Sequence, residues 1–127
     1  MNIPLAKPLL GNEESEAIER VLHSRRLATG ETVRELESAL ARKFQRKYCI
    51  AVSSGTAALY LGLKALGIKR VIIPVLTCDA VLHAALNAGA SIIFADVDEE
   101  THNIDLSTLP ERQLSAAEAV IVTHTYG

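Results

Sequence analysis

The hydrophobic period of this chain switches repeatedly between that of a strand and that of a helix, and few folds accommodate such a pattern. Tyr48-Cys49-Ile50-Ala51-Val52 is a short apolar run closed by Ser53-Ser54-Gly55-Thr56, and a helix-forming segment runs from Ala57 to Leu66 and stops at Gly67. The unit then recurs. Arg70 to Val75 reads as a strand with Pro74 near its end, Thr77 to Ala88 as a helix closed by Gly89, and Ser91 to Val97 as another strand. Leu106 to Leu114 reads as a short helix and Ala119 to Thr123 as a fourth strand. Strands and helices alternating about every 20 residues predict right-handed βαβ crossovers and an α/β fold with a mostly parallel sheet and flanking helices. Sites in such folds lie at the carboxyl ends of the strands.

Two helices are expected ahead of this region. Glu13 to Arg25 places Ile18, Val21 and Leu22 on one face, with acidic residues in the first turn where they complement the helix dipole. After the break at Leu27-Ala28-Thr29-Gly30, Thr32 and Glu35 read as a capping box before Val33, Leu36, Leu40 and Phe44, predicting a helix to about Arg46. Residues 1–46 are therefore expected to be a helical segment and 47–127 a βαβ sheet region. In the Thr77–Ala88 helix, Ala80, Val81, Ala84, Ala85 and Ala88 share one face, which predicts close packing on the sheet. The Ala57–Leu66 helix is apolar nearly all round, so both its faces call for cover, either by the two leading helices or by another subunit.

Composition narrows the function classes. The chain has 127 residues, a length that suits one domain, with 13 Lys and Arg against 15 Asp and Glu and a net charge of −2. Such a balance lacks the basic excess expected of a nucleic-acid or anionic-membrane partner. Every apolar stretch is interrupted well short of the roughly 18–20 residues of a membrane span. Met1 to Gly11 shows no secretory pattern. A cytoplasmic protein is expected. Cys49 and Cys78 form no CxxC arrangement and read as reduced, buried thiols.

The segment Val52-Ser53-Ser54-Gly55-Thr56-Ala57 is the most informative for chemistry. A glycine and hydroxyl residues at a strand-to-helix turn bring free backbone N–H groups, side-chain hydroxyls and the positive end of a helix dipole to one place, as a phosphate cradle does. A plain N-cap accounts for the same residues, because Ser or Thr there satisfies the helix's own orphan donors. No P-loop lysine and no G-x-G-x-x-G accompany the turn.

An ordered series of blocks surrounds that turn. Gly30-Glu31-Thr32-Val33 with Glu37, Tyr48 to Leu59, Val71-Ile72-Ile73-Pro74 with Thr77, Ala88-Gly89-Ala90, Asp96-Val97-Asp98, Thr101, Asn103-Ile104-Asp105, and Val120-Ile121-Val122 with His124 and Tyr126-Gly127 come in sequence. From Leu9 onward the chain resembles the N-terminal part of the DegT/DnrJ/EryC1/StrS family of pyridoxal-phosphate-dependent sugar aminotransferases. The resemblance implies a partial fold type I large domain and pyridoxal 5'-phosphate as cofactor. It also implies keto-sugar and amino-acid substrates, the sugar nucleotide-linked, and a homodimer. It assigns the cofactor's phosphate to the backbone amides of Gly55, Thr56 and Ala57 and to the Thr56 hydroxyl, with Ser54 beside them.

Three departures from the family pattern follow from the same blocks. Cys78 stands where the family usually has an aromatic residue stacked on the pyridine ring. Arg26 stands where an aromatic is frequent, and Gly67-Ile68-Lys69-Arg70 lacks the usual Gly-Asp turn. The family's Schiff-base lysine and the aspartate that pairs with the pyridine nitrogen belong downstream of the matched blocks, and none of Lys7, Lys43, Lys47, Lys64 and Lys69 lies in the Schiff-base motif. Lysine is the nucleophile of transamination. The expectation is thus an N-terminal fragment of an aminotransferase, inactive alone, with no catalytic residue of its own. The alternatives are a non-catalytic phosphate-ligand or regulatory module, or a truncated pseudoenzyme. His23, His83, His102 and His124 are scattered and predict no metal site. The acidic residues from Asp96 to Asp105 read as a solvated turn capped by Asn103 and Thr101. His124, at a strand end, is a candidate for facing the cofactor cleft.

Overall fold

The computed structural model describes residues 3, 4 and 7–126. The absence of a secretory pattern in Met1–Gly11 and the Gly127 of the last family block therefore lie partly or wholly outside the described residues. The chain divides into two compact units, residues 1–51 and 52–127.

The first unit holds two helices, α1 (Asn12–Ser24) and α2 (Glu31–Lys43). The N–H of Gly11 donates to Glu14 Oε2 at 2.7 Å, and Arg25 ends α1 in the left-handed region at φ 58°. The expected Thr32–Glu35 capping box does not form. Gly30 is the N-cap and Glu31 opens α2, which puts an acidic side chain against the dipole and Thr32 inside the first turn. The helix also ends before Arg46, because Gln45 turns left-handed (φ 51°) and the N–H of Arg46 reaches back to the Ala41 carbonyl at 2.8 Å, a Schellman-type closure.

Tyr48 to Val52, expected as a strand, forms no regular element and has no ladder partner among the described residues. Tyr48 and Ile50 are 73% and 78% exposed. A strand is defined by its neighbour, and the apolar period of this run says only that it is built to have one. Within the first unit Glu37 anchors it, its Oε1 accepting the N–H of Ala51 at 2.8 Å.

The second unit contains α3 (Gly55–Leu66), β1 (Arg70–Pro74), α4 (Asp79–Ala88), β2 (Ser91–Ala95), a 3₁₀ turn (Leu106–Thr108), α5 (Glu111–Leu114) and β3 (Ala119–Val120). The strands form a parallel sheet in the order β2-β1-β3, with Val71 opposite both Ile92 and Ala119. This bears out the α/β reading. Val71 and Ile73 are fully buried against Leu63 of α3 and Val81, Ala85 and Ala88 of α4. Ile72, on the alternate face, is buried as well. The small face of α4 does what its sequence predicts: Val81, Ala84, Ala85 and Ala88 are buried while Leu86 is half exposed.

Pro74 explains why β3 stops short of the expected Thr123. The carbonyls of Arg70 and Ile72 accept from Glu118 and Ile121, each at 2.9 Å, so even-numbered residues of β1 face β3. The next rung needs an N–H at residue 74, which proline lacks. On the other side the N–H of Val75 still bonds Ala95 at 2.9 Å. Pro110 similarly splits the expected Leu106–Leu114 helix, because the residue before a proline is pushed out of the helical region and Leu109 sits at φ −97°, ψ 137°.

Candidate active site

Parallel topology sets the location of the site. α3 runs into β1 through the Gly67 turn, and α4 leaves β1 and returns to β2, so both helices begin at the carboxyl edge of the sheet. Gly67 and Gly89 close the two helices at φ 68° and 81°, the left-handed caps that let the chain turn directly into β1 and β2.

At the start of α3, Ser54 is the N-cap and its Oγ accepts the N–H of Ala57 at 3.1 Å, while its carbonyl accepts the N–H of Ala58 at 3.0 Å. Two of the first-turn donors are thereby used locally. The N–H groups of Gly55 and Thr56 find no acceptor among the described residues. Space around Gly55 is open, with no atom within 4 Å of where a Cβ would stand. Two converging free amides, the neighbouring Thr56 hydroxyl and the dipole of a 12-residue helix suit a phosphate monoester.

Cys78 is the N-cap of α4, and it is exposed rather than buried as the thiol reading expected. A side chain at a helix entrance beyond the end of β1 has no layer above it to bury it. Its sulfur makes no capping bond, so it offers a small, soft surface and no aromatic face. Cys49 is half-buried. The residue before Cys78 stands in the sequence blocks beside Pro74, but no ligand role attaches to it there. Thr77 Oγ1 and, beyond β3, Thr123 Oγ1 are sealed from solvent yet have no hydrogen-bond partner among the described residues. A buried hydroxyl left unpaired costs about 1–3 kcal/mol, and each such group calls for an explanation. In the sequence Thr77 marks a block and a helix start and Thr123 the last residue of an expected strand, and neither placement signals a buried oxygen.

The remaining candidates are placed elsewhere. His23, His83 and His124 are exposed, and His102 stands edge-on to Tyr126 with ring centroids 5.4 Å apart. Among the described residues no cluster of three metal-ligating side chains occurs. The acidic turn is organised by its own carboxylates: Asp98 Oδ1 accepts the N–H and the hydroxyl of Thr101 at 2.7 and 2.8 Å, and Asp105 caps the 3₁₀ turn through Ser107. The Thr101 N–H and then its hydroxyl, with a smaller pull from His102, hold the Asp98 carboxyl below the usual aspartate value. No described helix is long and apolar enough to cross a membrane.

The family model for DegT/DnrJ/EryC1/StrS aminotransferases matches residues 8–127. The chain belongs to the DegT/DnrJ/EryC1/StrS aminotransferase family. Among its relatives, the spore coat polysaccharide biosynthesis protein SpsC of Bacillus subtilis (strain 168) is 37% identical over 128 residues, which cover 98% of this chain and 33% of SpsC. GDP-perosamine synthase of Escherichia coli O157:H7 is 34% identical, with 98% of this chain and 35% of the synthase covered. In structure, an aminotransferase from Psychrobacter cryohalolentis superposes with a TM-score of 0.82 at 32% identity, over 98% of this chain and 33% of its own. GDP-4-keto-6-deoxy-D-mannose-3-dehydratase of E coli, solved with bound hydrated PLP, superposes at 0.81 and 28% identity, over 95% and 33%. The chain thus spans about a third of the length of these DegT-family relatives.

Proposed function

We propose that this DegT-family chain holds the phosphate end of a pyridoxal-phosphate-dependent enzyme that passes an amino group from an amino acid to a keto-sugar carried on a nucleotide. The observation that carries the reading is the pair of unsatisfied donors, Gly55 N–H and Thr56 N–H, opening α3 at the carboxyl edge of β1. A nucleotide-linked sugar is supported by the GDP-perosamine synthase and the GDP-4-keto-6-deoxymannose-3-dehydratase among its relatives.

In this reading the amides of Gly55 and Thr56 donate to phosphate oxygens, the Thr56 hydroxyl adds a third donor, and the α3 dipole favours the dianion. Ser54 holds the first turn in shape by occupying the Ala57 N–H, so the third amide that the resemblance assigns to the phosphate is engaged within the chain. Cys78, at the entrance of α4, would line the space for the ring. Bound pyridoxal phosphate supplies the electron sink for bonds broken at the amino-bearing carbon. Amino transfer further needs a lysine nucleophile, and none of the five lysines of these 127 residues stands in the family's Schiff-base motif. By themselves the residues bind and orient without transaminating. We read residues 1–46 and 47–127 as the helical and sheet parts of one incomplete cofactor-binding domain, and the intact enzyme as a cytoplasmic homodimer.

Titration with pyridoxal phosphate, pyridoxal and inorganic phosphate tests the reading. The expected result is saturable binding of pyridoxal phosphate that inorganic phosphate competes away, and much weaker binding of pyridoxal. Equal affinity for pyridoxal and its phosphate would remove the cradle from the proposal.

A further inference from the structure

The two orphan hydroxyls share one edge of the fold. Thr77 lies three residues beyond Pro74, the end of β1, and Thr123 three residues beyond Val120, the end of β3. β1 and β3 are adjacent and parallel, so the chain carries both threonines past the same carboxyl edge, where α3 and α4 also begin. Each residue is half-buried as a whole although its oxygen is sealed, so the surface it shows to solvent belongs to its other atoms. In threonine a single χ1 step of about 120° exchanges the hydroxyl with the methyl, and both rotamers are ordinary. A hydroxyl with no partner inside loses no protein hydrogen bond when it turns outward.

We infer that Thr77 and Thr123 are ligand contacts, their hydroxyls donating to oxygen atoms of the phosphorylated molecule held at the carboxyl edge of the sheet. The inference rests on the cradle reading above and adds two donors, from the segments that follow β1 and β3, to those from α3. It also explains why the oxygens are left unpaired in the protein alone: the partner that satisfies them is the ligand.

The isosteric valine separates this role from a structural one. Without ligand, Thr77→Val and Thr123→Val remove an unpaired buried hydroxyl and are expected to melt at or above the wild-type temperature. With ligand each loses a hydrogen bond and binds pyridoxal phosphate about five- to tenfold more weakly. Thr77→Ser and Thr123→Ser keep the hydroxyl and bind as wild type. Valine variants that bind as tightly as wild type overturn the inference. So do valine variants that both melt lower without ligand, since the hydroxyls would then already be bonded within the folded chain. Either outcome leaves the cradle standing, whereas a wild-type chain that binds no pyridoxal phosphate removes the cradle and this inference together.

Discussion

The Oγ of Ser54 accepts the N–H of Ala57 at 3.1 Å, so the residue that opens the cradle also caps the helix behind it. A side-chain acceptor at this position satisfies one of the orphan donors of the first turn and leaves the amides of Gly55 and Thr56 pointing free. In the proposed cradle, capping takes the Ala57 N–H and leaves those of Gly55 and Thr56 for a ligand.

Ser54→Ala is expected to destabilise the chain by about 1 kcal/mol, read as a lowered denaturation midpoint. Ser54→Asp restores the cap and the midpoint, yet its negative charge beside the cradle weakens pyridoxal phosphate binding. A Ser54→Asp chain that binds the cofactor as wild type does would show that no phosphate sits at this turn.

Ile73 is fully buried between α3 and α4, in one cluster with Leu63, Val81 and Ala85. Truncation to alanine leaves a cavity that close-packed helices of small residues cannot fill, and Ile73→Ala is expected to cost about 2–5 kcal/mol. Urea unfolding measures it. A cost below about 1 kcal/mol would mean the helices do not pack on this face of the sheet.

Two glycines with equally open surroundings predict opposite signs. No atom lies within 4 Å of a Cβ built on Gly62 or on Gly89. Gly62 is inside α3, where alanine is the better helix former, so Gly62→Ala is expected to stabilise by about 0.5–1 kcal/mol. Gly89 stands at φ 81°, and Gly89→Ala is expected to destabilise by about 1 kcal/mol or more for conformational reasons alone. Thermal melts of the two variants moving the same way would contradict the left-handed closure of α4.

Asp98 links the acidic turn to pH. Its carboxyl is held below the usual aspartate value, chiefly by the Thr101 N–H, so the folded state binds a proton less readily than the unfolded chain. The stabilisation is complete above the ordinary aspartate value and fades as pH falls below it through the lowered one. Hydrogen exchange of the Thr101 amide is expected to quicken over that acidic interval, beyond the intrinsic change with pH, and Asp98→Ala is expected to abolish the extra acceleration.

Much of this was legible in the sequence, and the misses share a cause. Gly67 and Gly89 announce the helix ends, and the Ala-rich face of α4 announces its packing, because both signals are local to the element that obeys them. The short β3 was not legible, since its length is set by the missing N–H of Pro74 on a different strand. Tyr48 to Val52 departs from its strand reading for the same reason: a short apolar run reports a need for a neighbour and not its presence. At the site, Ser54 and Gly55 stand out as a turn and Thr77 as a block residue beside Pro74, whereas only the fold reveals that the oxygens of Thr77 and Thr123 are buried and, among the described residues, unpaired.

Cys78 gives the last prediction. It is the N-cap residue of α4 at the carboxyl edge of β1, exposed, its sulfur free of capping bonds, at the position where the family resemblance implies an aromatic residue. An exposed N-cap tolerates a larger side chain without intruding on the core, so Cys78→Phe is expected to leave the melting temperature nearly unchanged. The ring then offers a face to the pyridine, and an aromatic pair contributes about 0.5–1.5 kcal/mol, which amounts to roughly two- to tenfold tighter binding of pyridoxal phosphate. Inorganic phosphate, which has no ring, is expected to bind the variant and the wild type alike. An affinity for pyridoxal phosphate that does not change, measured by absorbance titration, would place the ring away from the entrance of α4.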